Sequence, residues 1–166
     1  MPDLLIQLTR RADGGVLLRC VRADGSVTWL RQEGRQAAFF PLHDLAHYAV
    51  ESELRLGSGF YGLIAEGWDI ADTGGKGARG PLPVETVAAE HLVGVLDLER
   101  AGGVEWTAEE INREAAAYAA TRGRPAPRPV TDAELGRVRS RVGELFARWR
   151  ALPPGATLEL GFDRRS

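Results

Sequence analysis

Two of the three histidines in this chain lie four residues apart, in the segment Pro41-Leu-His-Asp-Leu-Ala-His-Tyr-Ala-Val-Glu51. Residues four apart on an α-helix lie next to each other on one face, so His43, His47 and Glu51 would form a single stripe. Two imidazoles and a carboxylate are a common ligand set for a divalent metal ion such as zinc. The spacing therefore predicts a metal site on this helix, with Zn²⁺ or another divalent ion as the cofactor.

Apolar residues of the same segment lie beside this polar stripe. At 100° per residue, the apolar side chains fall within about 100° of one another. They are Leu42, Leu45, Ala46 and Ala49. The stripe therefore borders the core, where a cleft between two helices would lie. A rigid helix at such a cleft can hold imidazole nitrogens at about 2.0–2.1 Å from a zinc ion.

The distance from the histidines to the next apolar segment follows a known pattern. His43-Asp-Leu-Ala-His47 is followed, after 18 intervening residues, by Glu66-Gly67. This pattern resembles the zinc-binding motif of the gluzincin metallopeptidases, in which two histidines of one helix and a glutamate of the next bind zinc. The resemblance implies that His43, His47 and Glu66 are the metal ligands. It also implies that Asp44, where the family has a glutamate, is the base that activates water.

The third ligand and the base have alternatives within the chain. Glu51 or His91 could replace Glu66 as the third ligand. In favour of Glu66, it lies in an apolar run, where a buried carboxylate would need a partner such as a metal ion. Zinc lowers the pKa of a bound water from 15.7 toward about 7, and Asp44 or Glu51 could accept the proton. The predicted reaction is metal-assisted hydrolysis of a small molecule or a peptide.

Composition restricts the partners and the compartment. The net charge of −2 offers no basic field for nucleic acid or for an anionic membrane, so we expect neither as a partner. No apolar stretch approaches the roughly 18 residues that span a bilayer. The single cysteine, Cys20, fits a reducing compartment, and the first residues lack the regions of a signal peptide. We therefore expect a cytoplasmic protein of the bacterial type.

The first third of the chain has the pattern of antiparallel strands. Apolar and polar residues alternate over 4–9, 16–21 and 27–30, at the period of two that indicates strands. Asp-Gly pairs at 13–14 and 24–25 separate these runs, and this dipeptide is favoured in hairpin turns. The pattern predicts a three-stranded meander.

Helical periodicity dominates the rest of the chain, with capping boxes at Thr107-x-x-Glu110 and Thr131-x-x-Glu134. The predicted helices begin at Pro41, Phe60, Pro83, Thr107 and Thr131, and the second of them runs to Ile70. Residues 157–162 alternate again, and we expect this strand to return to the N-terminal sheet. The predicted fold is a single α+β domain over residues 1–166. It has a mostly antiparallel sheet of about four strands and about five helices packed on one face.

Two functions from different classes follow from these residues. The first is a small cytoplasmic protein that binds a divalent metal through His43, His47 and Glu66 and acts as a hydrolase. The second is a non-enzymatic interaction domain in which the histidines and acids form a structural polar network. In that case a sheet face or the Trp149 helix binds a partner, such as a second copy of the chain to form a homodimer.

Overall fold

Four antiparallel strands form one open sheet in the computed structural model, which describes residues 1–164. The strands are β1 (Leu4–Arg10), β2 (Val16–Arg22), β3 (Val27–Gln32) and β4 (Thr157–Phe162), in the spatial order β3-β2-β1-β4. The predicted meander and the returning C-terminal strand are therefore confirmed. The hairpin turns carry glycine at positive φ, with 87° at Gly14 and 86° at Gly25.

Five α-helices lie in the described part of the chain and pack on one face of the sheet. They are α1 (Arg35–Glu53), α2 (Phe60–Glu66), α3 (Val84–Gly102), α4 (Ala108–Ala120) and α5 (Asp132–Ala151), with a 3₁₀ helix at Ile70–Gly74. The α+β class and the predicted count of helices are confirmed. No helix within residues 1–164 combines the length and the apolar character that crossing a bilayer requires.

The first helix, α1, lies in the middle of the molecule. Its side chains Leu45 and Ala49 pack into the core beneath the sheet, together with β1, β2, β4 and α5. Ala46 and Val50, on the other side of α1, pack into a second core with α3 and α4. Residues 44–51 are consequently all buried. Two layers of helices therefore cover the sheet, and α1 is shared by both cores.

Two predicted helix boundaries are wrong. Helix α1 begins at Arg35 rather than at Pro41, so Pro41 lies inside the helix and gives no N–H to the carbonyl of Ala37. The helix predicted over 60–70 ends at Glu66, because Gly67 adopts a φ of 124° and the chain turns there. The buried guanidinium of Arg22 donates to the carbonyls of Ile64 and Trp68 at this turn.

Both predicted capping boxes are present. At α5, the Thr131 hydroxyl accepts from the Glu134 N–H at 3.1 Å, and the Glu134 carboxylate accepts from the Thr131 N–H at 3.1 Å. The same reciprocal pair joins Thr107 and Glu110 at α4.

We expect Thr131→Ala to lower the free energy of unfolding by about 1 kcal/mol, because it removes the acceptor for an otherwise unpaired helix N–H. Urea denaturation measures this change. Ser140→Ala, at an exposed position of the same helix, is the control and should stay within about 0.5 kcal/mol of the parent protein. Equal effects of the two substitutions would contradict the capping role of Thr131.

Candidate metal centre

Helices α1 and α3 bring two histidines and one glutamate together. His43 and His47 come from one face of α1, and Glu90 comes from the facing side of α3. One ligand atom from each of the three residues lies within 4.8 Å of the other two. The two helices run antiparallel, since His43 contacts Asp97 whereas His47, one turn later, approaches Glu90. Two imidazoles and one carboxylate therefore surround a common point.

The orientation of His47 is set by a buried carboxylate behind it. Its Nδ1 lies 3.0 Å from Glu51 Oε2, within hydrogen-bond distance. Glu51 also accepts from the backbone N–H groups of Phe60 and Tyr61, each at 2.9 Å. A carboxylate that accepts three N–H groups acts as the acceptor toward His47, so the proton of the neutral ring belongs on Nδ1. The lone pair of Nε2 is then free to face the cluster.

The Nε2 atom of His47 is buried and makes no hydrogen bond within residues 1–164. Glu90 Oε1 lies only 3.1 Å away, but the two atoms are not aligned for a hydrogen bond. The buried nitrogen has lost its water, and its approach to Glu90 is an ion-pair contact without hydrogen-bond alignment. A proton on the imidazole or another cation between the imidazole and the carboxylate would satisfy both groups.

A second carboxylate holds His43 in the same way. Its Nδ1 lies 2.7 Å from Asp97 Oδ2, and the other oxygen of Asp97 accepts from the Arg100 guanidinium at 3.0 Å. The Nδ1 of His43 is thus engaged, which leaves its Nε2 for the cluster. Both histidines have the carboxylate–histidine arrangement that orients metal ligands in metalloproteins.

The electrostatics of the cluster favour a positive charge at its centre. Burial lowers the pKa of His47, but its contacts with Glu51 and Glu90 outweigh burial and raise that pKa to about 10. Burial likewise acts to raise the pKa of Glu90, yet the contact with His47 lowers it overall. The carboxylates therefore stabilise a cation between them, either a proton on the imidazole or a metal ion in its place.

Asp44 lines the cavity beside these ligands. Its Oδ2 accepts from Gln32 Nε2 at 2.9 Å, and burial raises the pKa of its carboxyl group to about 6. The cavity has a volume of about 260 Å³, and His43, His47 and Glu90 also line it. The site consequently combines a possible cation position with a nearby carboxyl group and room for a small molecule.

The structure separates Glu66 from the two histidines. Its side chain is 49% exposed, and its Oε2 lies 3.9 Å from the guanidinium of Arg164. Glu66 is not in the group of possible ligand residues found within residues 1–164. The spacing of Glu66 from the histidines along the chain therefore does not place these residues in one site. Glu66 is the last residue of α2, and this end of α2 points away from the cluster.

The two alternative third ligands also lie outside the group. Both oxygens of Glu51 accept from N–H groups, so this residue orients His47 instead of facing a cation or a water molecule. His91 is buried with its ring 5.2 Å from that of Tyr118, and burial lowers its pKa. The sequence-based interpretation missed Glu90, the residue before His91. The sequence did contain an indication of this site. Glu90 and Asp97 are seven residues apart, which places both carboxylates on one face of α3.

Glycine at position 59 allows the chain to approach Glu51. A Cβ atom added to Gly59 would overlap the carboxyl group of Glu51, which the following N–H groups of Phe60 and Tyr61 hold in place. By contrast, a Cβ at Gly143, exposed on α5, would have no neighbour within 4 Å.

We expect Gly59→Ala to lower the free energy of unfolding by about 1–3 kcal/mol, because the new methyl group displaces the buried carboxylate of Glu51. Gly143→Ala should instead raise it by about 0.5–1 kcal/mol, since alanine is the better residue inside a helix. Thermal or urea denaturation measures both changes. A Gly59→Ala protein as stable as the parent would show that Glu51 is not held in this position.

No protein-family model, curated protein or solved structure matches this chain. The chemistry of the site therefore follows from its own residues.

Proposed function

We propose that the protein binds one divalent metal ion, with zinc as the first candidate, through His43, His47 and Glu90. The observation that carries the proposal is the buried Nε2 of His47, which has no hydrogen-bond partner in the described chain and lies beside the carboxylate of Glu90. A metal ion at this point would accept the lone pair of the nitrogen and balance the negative charge of the carboxylate. Glu51 and Asp97 would then support the ligands from behind.

The donor set indicates which ion and which kind of site. Imidazole nitrogen and carboxylate oxygen suit zinc, and two histidines with one glutamate are a ligand set of catalytic zinc sites. Three protein ligands leave the fourth position of a tetrahedral ion for water or substrate. The adjoining cavity of about 260 Å³ gives a small molecule access to that position.

We propose further that the activity is hydrolytic, with Asp44 as the base. Zinc lowers the pKa of a water molecule in its open position to about 7. Asp44 lines the same cavity as the ligands and can accept the proton of that water. The water oxygen would form a bond to the electrophilic centre of the substrate, the bond from that centre to the leaving group would break, and the leaving group would take the proton from Asp44. The lone Cys20 fits a cytoplasmic site for this activity.

A non-catalytic interaction domain is the second candidate function. One observation favours it, since a protonated His47 lying between Glu51 and Glu90 would satisfy the charges of the cluster without a metal. Metal analysis distinguishes the two functions.

We expect protein purified without an affinity tag to contain a near-stoichiometric amount of zinc or another divalent metal, measured by elemental analysis. Glu90→Gln should lose the metal, because it replaces a charged ligand with a neutral amide. Its side chain is 38% exposed, so this variant should remain folded. His47→Ala should lose the metal as well, whereas His91→Gln should retain it, since His91 lies outside the group.

Removal of the metal by a chelator should lower the melting temperature of the parent protein and leave that of Glu90→Gln unchanged, because only the native state holds the site. Glu66→Gln adds a direct test of the ligand set suggested by sequence spacing, and we expect it to bind metal normally. A parent protein that contains no metal, and whose melting temperature zinc does not raise, would refute the proposal and favour the interaction domain.

We expect Asp44→Asn to bind metal as the parent does but to hydrolyse p-nitrophenyl acetate roughly 100-fold more slowly, because an amide cannot accept the proton of water. Glu159→Gln is the control, since Glu159 lies on the exposed face of the sheet, where it accepts from Gln7. Equal rates for metal-loaded Asp44→Asn and parent protein would remove Asp44 from the mechanism and leave the metal site intact.

A further inference from the structure

The cavity over the proposed metal centre has walls of apolar side chains from five elements of the fold, namely β2, β3, α1, α2 and the 3₁₀ helix. These side chains are Leu18, Leu30, Phe40, Phe60 and Ile70. Leu30 and Phe40 are 42% and 36% exposed, whereas Leu18 and Ile70 are buried, so the first pair lies toward the mouth and the second toward the interior. An apolar group entering the cavity would therefore leave water on several sides, which favours its binding.

The charges around the cavity disfavour anions. Among residues 1–164, its charged or titratable lining groups are Asp44, Glu90 and the two histidines, with no lysine or arginine. Behind the cluster, the guanidinium of Arg100 already donates to Asp97. A phosphate or carboxylate on a substrate would find the metal ion as its single cation and would face two carboxylates. An uncharged group carries no such cost.

One polar atom in the cavity wall needs a donor. Gln32 is 2% exposed, and its Nε2 donates to Asp44, which fixes the orientation of the amide. The other end of that amide, Oε1, is buried and accepts no hydrogen bond within the described chain. An N–H or O–H group on a bound molecule would satisfy this oxygen. Gln32 lines the same cavity as the candidate ligands, so its oxygen could select bound molecules that carry a hydrogen-bond donor.

We infer that the site takes a small, uncharged molecule that carries an apolar group and an N–H or O–H donor beside its metal-binding oxygen. The inference rests on the proposed metal centre and adds its substrate class. A short amide with an apolar acyl group has all of these features. The volume of about 260 Å³ lies below the usual 300–1,000 Å³ of ligand pockets, which restricts the molecule to a single small ring or a short aliphatic chain.

The first probe is benzohydroxamic acid, an aromatic compound with a metal-binding oxygen pair and an N–H group, which is uncharged in neutral solution and passes its hydroxyl proton to the solvent when it binds a metal. Protein loaded with Co²⁺ in place of zinc reports its binding through the visible absorption of the cobalt. We expect benzohydroxamic acid to bind at least tenfold more tightly than acetohydroxamic acid, because the phenyl ring buries more apolar surface than a methyl group. The effect of charge is measured with benzamide, which is uncharged and has the same ring with a carbonyl oxygen and an N–H group. Benzoate and inorganic phosphate should bind at least tenfold more weakly than benzamide.

The role of Gln32 is tested with N-methylbenzohydroxamic acid, in which a methyl group replaces the N–H hydrogen. The parent protein should bind this compound roughly fivefold or more weakly than benzohydroxamic acid, the loss expected for one hydrogen bond. Gln32→Met keeps the length of the side chain and removes its oxygen, so it should bind the two compounds equally. Arg31→Met, at an exposed position of the same strand, should discriminate as the parent does.

The outcomes separate the inference from the proposed function. If the cobalt spectrum never develops, the metal centre itself is absent and both proposals fail. If it develops but phosphate or benzoate binds as tightly as benzamide, the substrate class is wrong and the metal centre stands. If Gln32→Met discriminates between the two aromatic hydroxamic acids as the parent does, Gln32 does not accept a hydrogen bond from the N–H group of the ligand.

Discussion

The buried carboxylate of Glu51 connects the parts of the molecule on which the site depends. It accepts from the ring of His47 on its own helix and from two backbone N–H groups at the start of α2. These three donors offset part of the cost of placing a charge in the interior, while burial still raises the pKa of Glu51. Because the same group fixes the ring of His47 and the start of α2, the local fold and the orientation of this candidate ligand have one physical cause. The absence of a side chain at Gly59 is what permits the contact.

The two histidines share this type of support but differ in their surroundings. His47 is held by Glu51 deep in the interior, whereas His43 is held by Asp97, which in turn accepts from Arg100 nearer the surface. Both arrangements leave one ring nitrogen directed toward Glu90 and the cavity. A cluster of this kind is stable when a positive charge occupies its centre, because carboxylates approach it from several sides. A proton meets that requirement in a structural network, and a metal ion meets it in the proposed site.

Local sequence signals predicted the framework well. The Asp-Gly turns, the alternation in the strands and the capping boxes act between residues close in the chain, so a single sequence reveals them. The i,i+4 stripe on α1 is local in the same sense, and it placed His43 and His47 side by side. Glu90 could not be chosen in this way, because its proximity depends on how α3 packs against α1. Glu66 fitted a linear spacing, but the turn at Gly67 and the ion pair with Arg164 place it elsewhere.

The position of α1 between two hydrophobic cores restricts the motion of the two histidines. Leu45 and Ala49 anchor one side of the helix and Ala46 and Val50 anchor the other, so His43 and His47 cannot separate unless both cores open. Excursions of that size require an opening close to global unfolding, in contrast to the motions of a surface loop. The imidazoles accordingly keep their mutual arrangement before any cation arrives. The metal ion that we propose would meet a preformed site, so little ordering entropy would oppose its binding.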